Sequence, residues 1–106
     1  MVNYEQFSEI ELRIATVLAG ERLEGSDKLL RLQVSLGEEE RQIIAGIGKK
    51  YAPEGLIGRQ IIVVVNLEPR TLMGMESRGM LLAADSADGP VILIPQQEVA
   101  SGTKIK

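Results

Sequence analysis

The sequence predicts a mainly β domain: a five-stranded Greek-key barrel with a short helical connection and extra strands at the C-terminus. Three observations predict it. Leu30, Leu32, Val34 and Leu36 alternate with Arg31, Gln33 and Ser35, the period-2 pattern of a strand with one face buried. Ile61 to Val65 is an unbroken β-branched run, as expected of a central strand covered on both faces. Five main segments of strand character occur, followed by short C-terminal additions; turn signals join them, with one helical connection between the third and fourth.

Taken in order, Asn3 caps a short helical turn with Gln6 three residues on, as in a capping box. Tyr4 and Phe7 then share one face, and this turn is expected to lie as a lid over an open end of the barrel. Leu12 to Ala19 reads as a curved strand with both faces largely apolar. Gly25, Ser26 and Asp27 turn the chain, and Lys28 stands at the exit. The alternating strand from Leu30 follows, then a hairpin turn at residues 37–40 and a return strand, Arg41 to Ile47, with Ile43, Ala45 and Ile47 on one face. Arg31, Gln33, Arg41 and Gln42 fall on this hairpin, as either an ordinary wet face or a binding surface. Pro53, Gly55 and Gly58 break the segment after Gly48, giving a helical turn with Tyr51 packed inward. Gln60 to Asn66 is the fourth strand and Met80 to Ala84 the fifth. Val91 to Ile94 is a short strand between Pro90 and Pro95, and the tail holds a possible last strand ending in Ile105. This order is that of an OB-fold, and 106 residues with 44% hydrophobic content suffice for one core, residues 1–106 forming one domain.

Composition removes several chemistries. With neither histidine nor cysteine, the chain has no Ser-His-Asp or Cys-His nucleophile system, no structural zinc site and no disulfide, and no cofactor is expected. Glu38, Glu39 and Glu40 form a solvated turn, and Ser77 beside Glu76 lacks an activating base, so no catalysis is expected. No segment approaches the roughly eighteen apolar residues of a membrane span, and the N-terminus lacks a signal-peptide pattern. A cytoplasmic protein without a membrane partner is expected. The net charge is −3, distributed as −3 over residues 1–26, +1 over 27–80 and −1 over 81–106. An anionic partner must therefore be held by a local cluster, weakly and salt-sensitively.

The stretch from Asn66 to Ala84 is where function is expected. It runs from one apolar strand to another through a loop that Pro69 keeps out of a ladder and that Gly74 and Gly79 bend. Arg70, Ser77 and Arg78 supply donors to a phosphate or sugar edge, and Met73, Met75 and Met80 an adaptable apolar surface. The glycines do not form a P-loop, which needs Gly-Lys-Ser or Gly-Lys-Thr opening a helix.

Four motifs stand in register: Ser26-Asp27-Lys28-Leu29; Tyr51, Pro53, Glu54, Leu56 and Gly58; Asn66, Leu67, Pro69 and Arg70; Gly74, Ser77, Gly79 and Met80. Together, from Phe7 to Lys106, they resemble the tRNA-binding domain family found at the C-terminus of many methionyl-tRNA synthetases and as free-standing tRNA-binding proteins. EGSDKLLRL is most similar to the synthetase branch. The resemblance implies an OB-fold that homodimerises through its C-terminal additions and holds tRNA by shape. It implies that Lys28, Ser77 and Met80 lie on the tRNA-facing surface, with Asn66 and Arg70 close by. Glu68 and Thr71 stand where more basic members carry lysine. Every lysine-to-phosphate pairing that is missing lowers the salt slope by about 0.7 to 0.9.

The function expected is thus a non-catalytic, dimerising, weak tRNA-binding module of methionyl-tRNA synthetase, linked to the catalytic core in cis or in trans. The alternatives are a free-standing tRNA-binding protein or chaperone, and a pure oligomerisation module. Val91, Ile92, Leu93 and Ile94, with Val99 and Ile105, are more apolar than a monomer's surface tail should be and are expected to bury against a symmetric partner.

Overall fold

The alternation from Leu30 is realised without slippage in the computed structural model, which describes residues 1–106. Strand β2 (Leu30–Ser35) buries Leu30, Leu32 and Val34 and turns Arg31, Gln33 and Ser35 outward. It pairs along its whole length with β3 (Glu40–Ala45), from Leu30 opposite Ala45 to Ser35 opposite Glu40. Strand β1 (Leu12–Arg22) pairs with β2 through Thr16–Arg22 and with β4 (Gln60–Val64) through Leu12–Thr16. A register shift between Val17 and Ala19 leaves Leu18 without a partner. One extra residue on one strand is a β-bulge, which bends that strand. Here it supplies the expected curvature.

The helical connection is a 3-10 turn, Pro53–Leu56, with Pro53 and Leu56 buried. Tyr51 packs against the core, and its hydroxyl accepts the Ile92 amide at 3.1 Å. Buried positions in the contiguous core are all aliphatic, among them Leu30, Leu32, Val34, Ile43, Ile61 and Val63.

Closure differs from expectation. The sheet is antiparallel, curled and OB-fold-like, but it remains an open half-barrel in the order β3-β2-β1-β4-β7, where β7 is Met80–Leu81, with β10 (Lys104–Ile105) also on β1. No ladder joins β3 to β7. The strand expected over Met80 to Ala84 breaks at Leu82: its amide donates to Ile62 O at 3.0 Å, whereas its carbonyl accepts from Leu93 N at 3.1 Å. The chain then leaves as β8 (Ala83–Ser86), which pairs only with β9 (Gly89–Ile92). Two residues are too few to close a barrel. Side chains bridge the seam instead.

The tail is integral to the sheet. Ile105 stands opposite Leu12, Gly102 N donates to Ile14 O at 2.7 Å, and Ile14 N donates to Thr103 O at 2.9 Å. The Gln60 carboxamide clamps Val99, donating to its carbonyl at 2.6 Å and accepting from its amide at 3.0 Å.

Helix α1 (Tyr4–Ser8) has the expected capping box, with reciprocal Asn3 and Gln6 bonds of 2.8 and 2.9 Å. It is not a lid: none of its residues is buried. Asn66 tethers the following segment, accepting from Glu11 N at 2.8 Å and donating to Glu9 O at 2.7 Å. The helix stands off the sheet, and Tyr4 and Phe7 line an open groove of about 460 Å³ with Leu12 and Ile105. No helix is long and apolar enough to cross a membrane.

Candidate nucleic-acid interface

Within the expected loop lies a separate two-stranded hairpin, β5 (Arg70–Leu72) and β6 (Met75–Ser77), with Arg70 opposite Ser77. Pro69 therefore precedes a ladder, though not one of the main sheet. The turn residues Met73 and Gly74 have φ of 50° and 78°. Consecutive positive φ values suit a two-residue hairpin turn, whose twist matches that of the strands. Met73 is the one non-glycine residue with positive φ, and its side chain is exposed.

The hairpin rests on the free edge of β3 through Ser77. This serine is 5% exposed, and its Oγ accepts the Ile44 amide at 2.9 Å and donates to Gly79 O at 3.1 Å. Arg78 N donates to Gln42 O at 2.9 Å, and Gln42 Nε2 donates to Glu76 O at 2.8 Å. Ile44, on the outward parity of its strand, is buried. Gly79, at φ 149°, passes so close to β4 that a β-carbon would stand 3.1 Å from Val63 Cγ1 and 3.2 Å from Val64 O. At its other end the hairpin meets the 23–29 loop: the Met73 methyl lies 3.5 Å from where a β-carbon on Gly25 would be. Ser26 Oγ holds that loop, accepting from Lys28 N at 3.2 Å and Leu29 N at 3.1 Å.

The residues expected at the interface fall into two groups. Lys28, Arg70, Arg78 and Met80 are exposed. Lys28 and Arg70 form no ion pair, whereas Arg78 has Glu76 at 3.9 Å. The others are engaged within the fold. The Ser77 hydroxyl has both its bonds inside the protein, so it is not presented as a donor to a ligand. Both polar atoms of the Asn66 carboxamide tether residues 9–11. Arg31 and Arg41 do not share a face. Arg31 points outward and pairs with Glu21 at 2.7 Å. Arg41 stands opposite Val34 on the core side of β3, where its guanidinium crosses the open seam to Val65 O and, at 3.3 Å, to Arg78 O. Glu39 accepts its other amino group at 3.2 Å. A cation so placed fills the gap that strand pairing leaves. Its parity with Ile43 and Ala45 is the sequence signal that places it inward.

Of the apolar tail, Val91, Leu93 and Ile94 are exposed, whereas Ile92 packs on the core and Val99 and Ile105 are half-buried. Two lysines outside the expected set, Lys49 and Lys50, line a cleft with Lys28. Their sequence signal is the GKK triplet directly after a strand.

Residues 12–104 match the family model described as a putative tRNA binding domain. The methionine–tRNA ligase of Methanothrix thermoacetophila is 55% identical over 106 residues, covering 100% of this chain and 16% of that protein. That of Caldanaerobacter subterraneus subsp. tengcongensis is 51% identical over 104 residues, covering 98% of the chain and again 16% of the ligase. The chain thus spans a small part of these curated relatives. Among solved structures, a MetRS-related protein from Pyrococcus horikoshii superposes with a TM-score of 0.94 at 34% identity, covering 100% of this chain and 98% of that one. The chaperone CsaA from Bacillus anthracis gives 0.90 at 39% identity, with coverage of 100% and 99%. Its motifs, its open OB-like sheet and these matches agree: the chain belongs to the putative tRNA-binding domain family.

Proposed function

We propose that this chain is a non-catalytic tRNA-binding module of a methionyl-tRNA synthetase, cytoplasmic, acting with the catalytic core in cis or in trans. The observation that carries this reading is the seating of the β5–β6 hairpin against the 23–29 loop, which places Arg70 and Lys28, both without ion pairs, on touching elements. Loops on a rigid β scaffold that offer free cations to phosphate, with no aromatic stacking platform, hold an RNA by shape and charge and with little base discrimination. Ser77 and Arg41 contribute indirectly, by fixing the hairpin and the seam on which it rests.

Charge reversal tests the reading. Arg70→Glu and Arg78→Glu should each weaken binding of bulk tRNA at low salt, to a similar degree for different tRNAs. Arg70→Glu should have the larger effect, since Arg78 is already partly compensated by Glu76. The slope of log K against log salt should fall by roughly 0.7 to 0.9 for each phosphate no longer neutralised. Unchanged binding in both variants would remove the hairpin from the interface. Complete indifference of the unaltered chain to tRNA would leave the pure oligomerisation module standing.

Dimerisation belongs to the same proposal. Val91, Leu93 and Ile94 are 40%, 40% and 60% exposed, an apolar run for which a monomer has no use. A symmetric partner covering it makes Ile94→Asp a monomer in sedimentation, with the melting temperature of the fold little changed. A variant that still sediments as a dimer places the contact elsewhere. A free-standing tRNA-binding protein or chaperone is the second reading, favoured by the end-to-end match to CsaA. A coding sequence that continues into a synthetase catalytic core supports the first reading.

A further inference from the structure

We infer that the RNA-binding surface extends beyond the hairpin into a cleft of about 400 Å³ walled by Lys28, Lys49 and Lys50, which takes backbone phosphate of the same RNA. This inference rests on the proposed tRNA-binding reading and specifies a second phosphate site for it.

The twelve basic residues divide unequally. Arg13, Arg31, Arg41 and Arg78 have carboxylates within 4 Å, whereas Lys28, Lys49 and Lys50 have none. These three come from segments about twenty residues apart, and the fold brings them together by two close backbone approaches. Gly48 N donates to Lys28 O at 2.7 Å. A β-carbon on Gly48 would stand 2.8 Å from that oxygen, and one on Gly46 would stand 3.0 Å from Lys28 Cε. The bare backbone at Gly46 and Gly48 is what lets the Lys28 stem lie along the 46–50 segment. Arg22 locks the arrangement, its Nη1 donating to Gly48 O at 2.6 Å and to Asp27 O at 3.4 Å. Bonds to carbonyls leave its full charge beside the cleft. Asp88, in the β8–β9 turn, is the one carboxylate on the cleft wall, and it forms no ion pair.

Three exposed ammonium groups around one cleft suit phosphate oxygens. Lysine acts there as a hydrated point charge that neutralises without reading a base. The position is also continuous with the hairpin. Met73 meets Gly25, Lys28 lies along Gly46, and the Lys50 stem passes 3.6 Å from the β-carbon position of Gly89. Free cations therefore stand on adjoining elements, Arg70 on the hairpin, Lys28 on the loop that its tip meets, and Lys49 and Lys50 beside Lys28, within reach of one phosphodiester chain.

The test uses the 106-residue chain and unfractionated tRNA, with binding followed by fluorescence anisotropy over a series of salt concentrations. Lys49→Ala/Lys50→Ala should lower the slope of log K against log salt by about 1.4 to 1.8, the equivalent of two neutralised phosphates, with the melting temperature unchanged. Lys104→Ala/Lys106→Ala removes the same charge at the far end of the sheet and should leave the slope as it was. Asp88→Asn should tighten binding severalfold at low salt, a gain that a purely structural role for this cleft does not give. If the unaltered chain binds tRNA but Lys49→Ala/Lys50→Ala and Asp88→Asn match it in slope and affinity, the cleft is not a phosphate site, and the hairpin reading survives alone. If the unaltered chain fails to bind at low salt, both readings fall.

Discussion

Gly102→Ala is expected to detach the C-terminal strand and to destabilise the fold by about 3 to 5 kcal/mol. Two independent causes act at this position. The backbone has φ 88°, and a β-carbon would stand only 2.1 Å from Leu36 O. Because the obstacle is backbone, no side chain can rotate away. The turn must move, and with it go the Gly102-to-Ile14 and Ile14-to-Thr103 hydrogen bonds that hold β10 on β1. Urea unfolding followed by circular dichroism reads the loss. Amide hydrogen exchange at Ile14 and Ile105 should accelerate before the rest of the sheet does. Gly55→Ala is the control: nothing lies within 4 Å of its β-carbon position and its φ is not positive, so it should be neutral or slightly stabilising. A Gly102→Ala protein as stable as the parent would show that the tail is not integral to the sheet.

Ser77→Ala should cost about 1 to 3 kcal/mol, the penalty for leaving a buried amide without its acceptor. The amide is that of Ile44, and the hydroxyl is its partner at 2.9 Å in a site that the hairpin seals from water. The melting temperature should fall by several degrees. The salt dependence of tRNA binding should not change while the protein stays folded, because every exposed cation of the proposed surface is still in place. A serine that donates to RNA predicts the reverse, with affinity reduced and stability kept. Both quantities come from one preparation, so the two roles separate cleanly.

The seam between β3 and the hairpin ties Ser77 to the proposed function. An OB-like sheet closed by a full ladder would bury the β3 edge in strand pairing. Here the Ile44 amide and the Gln42 carbonyl on that edge are satisfied by the Ser77 hydroxyl and the Arg78 amide, while the Gln42 and Arg41 side chains reach out from β3 to Glu76 O, Val65 O and Arg78 O. The hairpin that carries Arg70 and Arg78 is thereby held firmly while its outer side stays free. Rigid mounting lowers the ordering cost of binding, a cost that weighs heavily on a weakly charged surface.

Local chemistry was legible in the sequence because its causes lie within a few residues. The Asn3 and Gln6 capping box, the alternation of β2, the Pro53 turn, the continuous apolar β4 and the terminal strand at Ile105 all follow from side-chain period, proline geometry or a cap. The four motifs carried the family for a related reason, since they mark turns whose shape depends on residue type.

What tertiary structure alone decided concerns partners distant in the chain. Ser77 is separated from Ile44 by 33 residues and Arg41 from Val65 by 24. Nothing local distinguishes a serine that donates outward from one that caps a remote amide, and Arg31 likewise gives no hint that Glu21 neutralises it. The half-barrel stays open because Leu82 divides its amide and carbonyl between β4 and the segment after β9, a choice set by where those strands lie and not by the leucine itself. Lys28 joins Lys49 and Lys50 only because Gly46 and Gly48 let two segments touch. Charge in a sequence is a count, but charge at a surface is what remains after long-range register has paired some side chains and left others free.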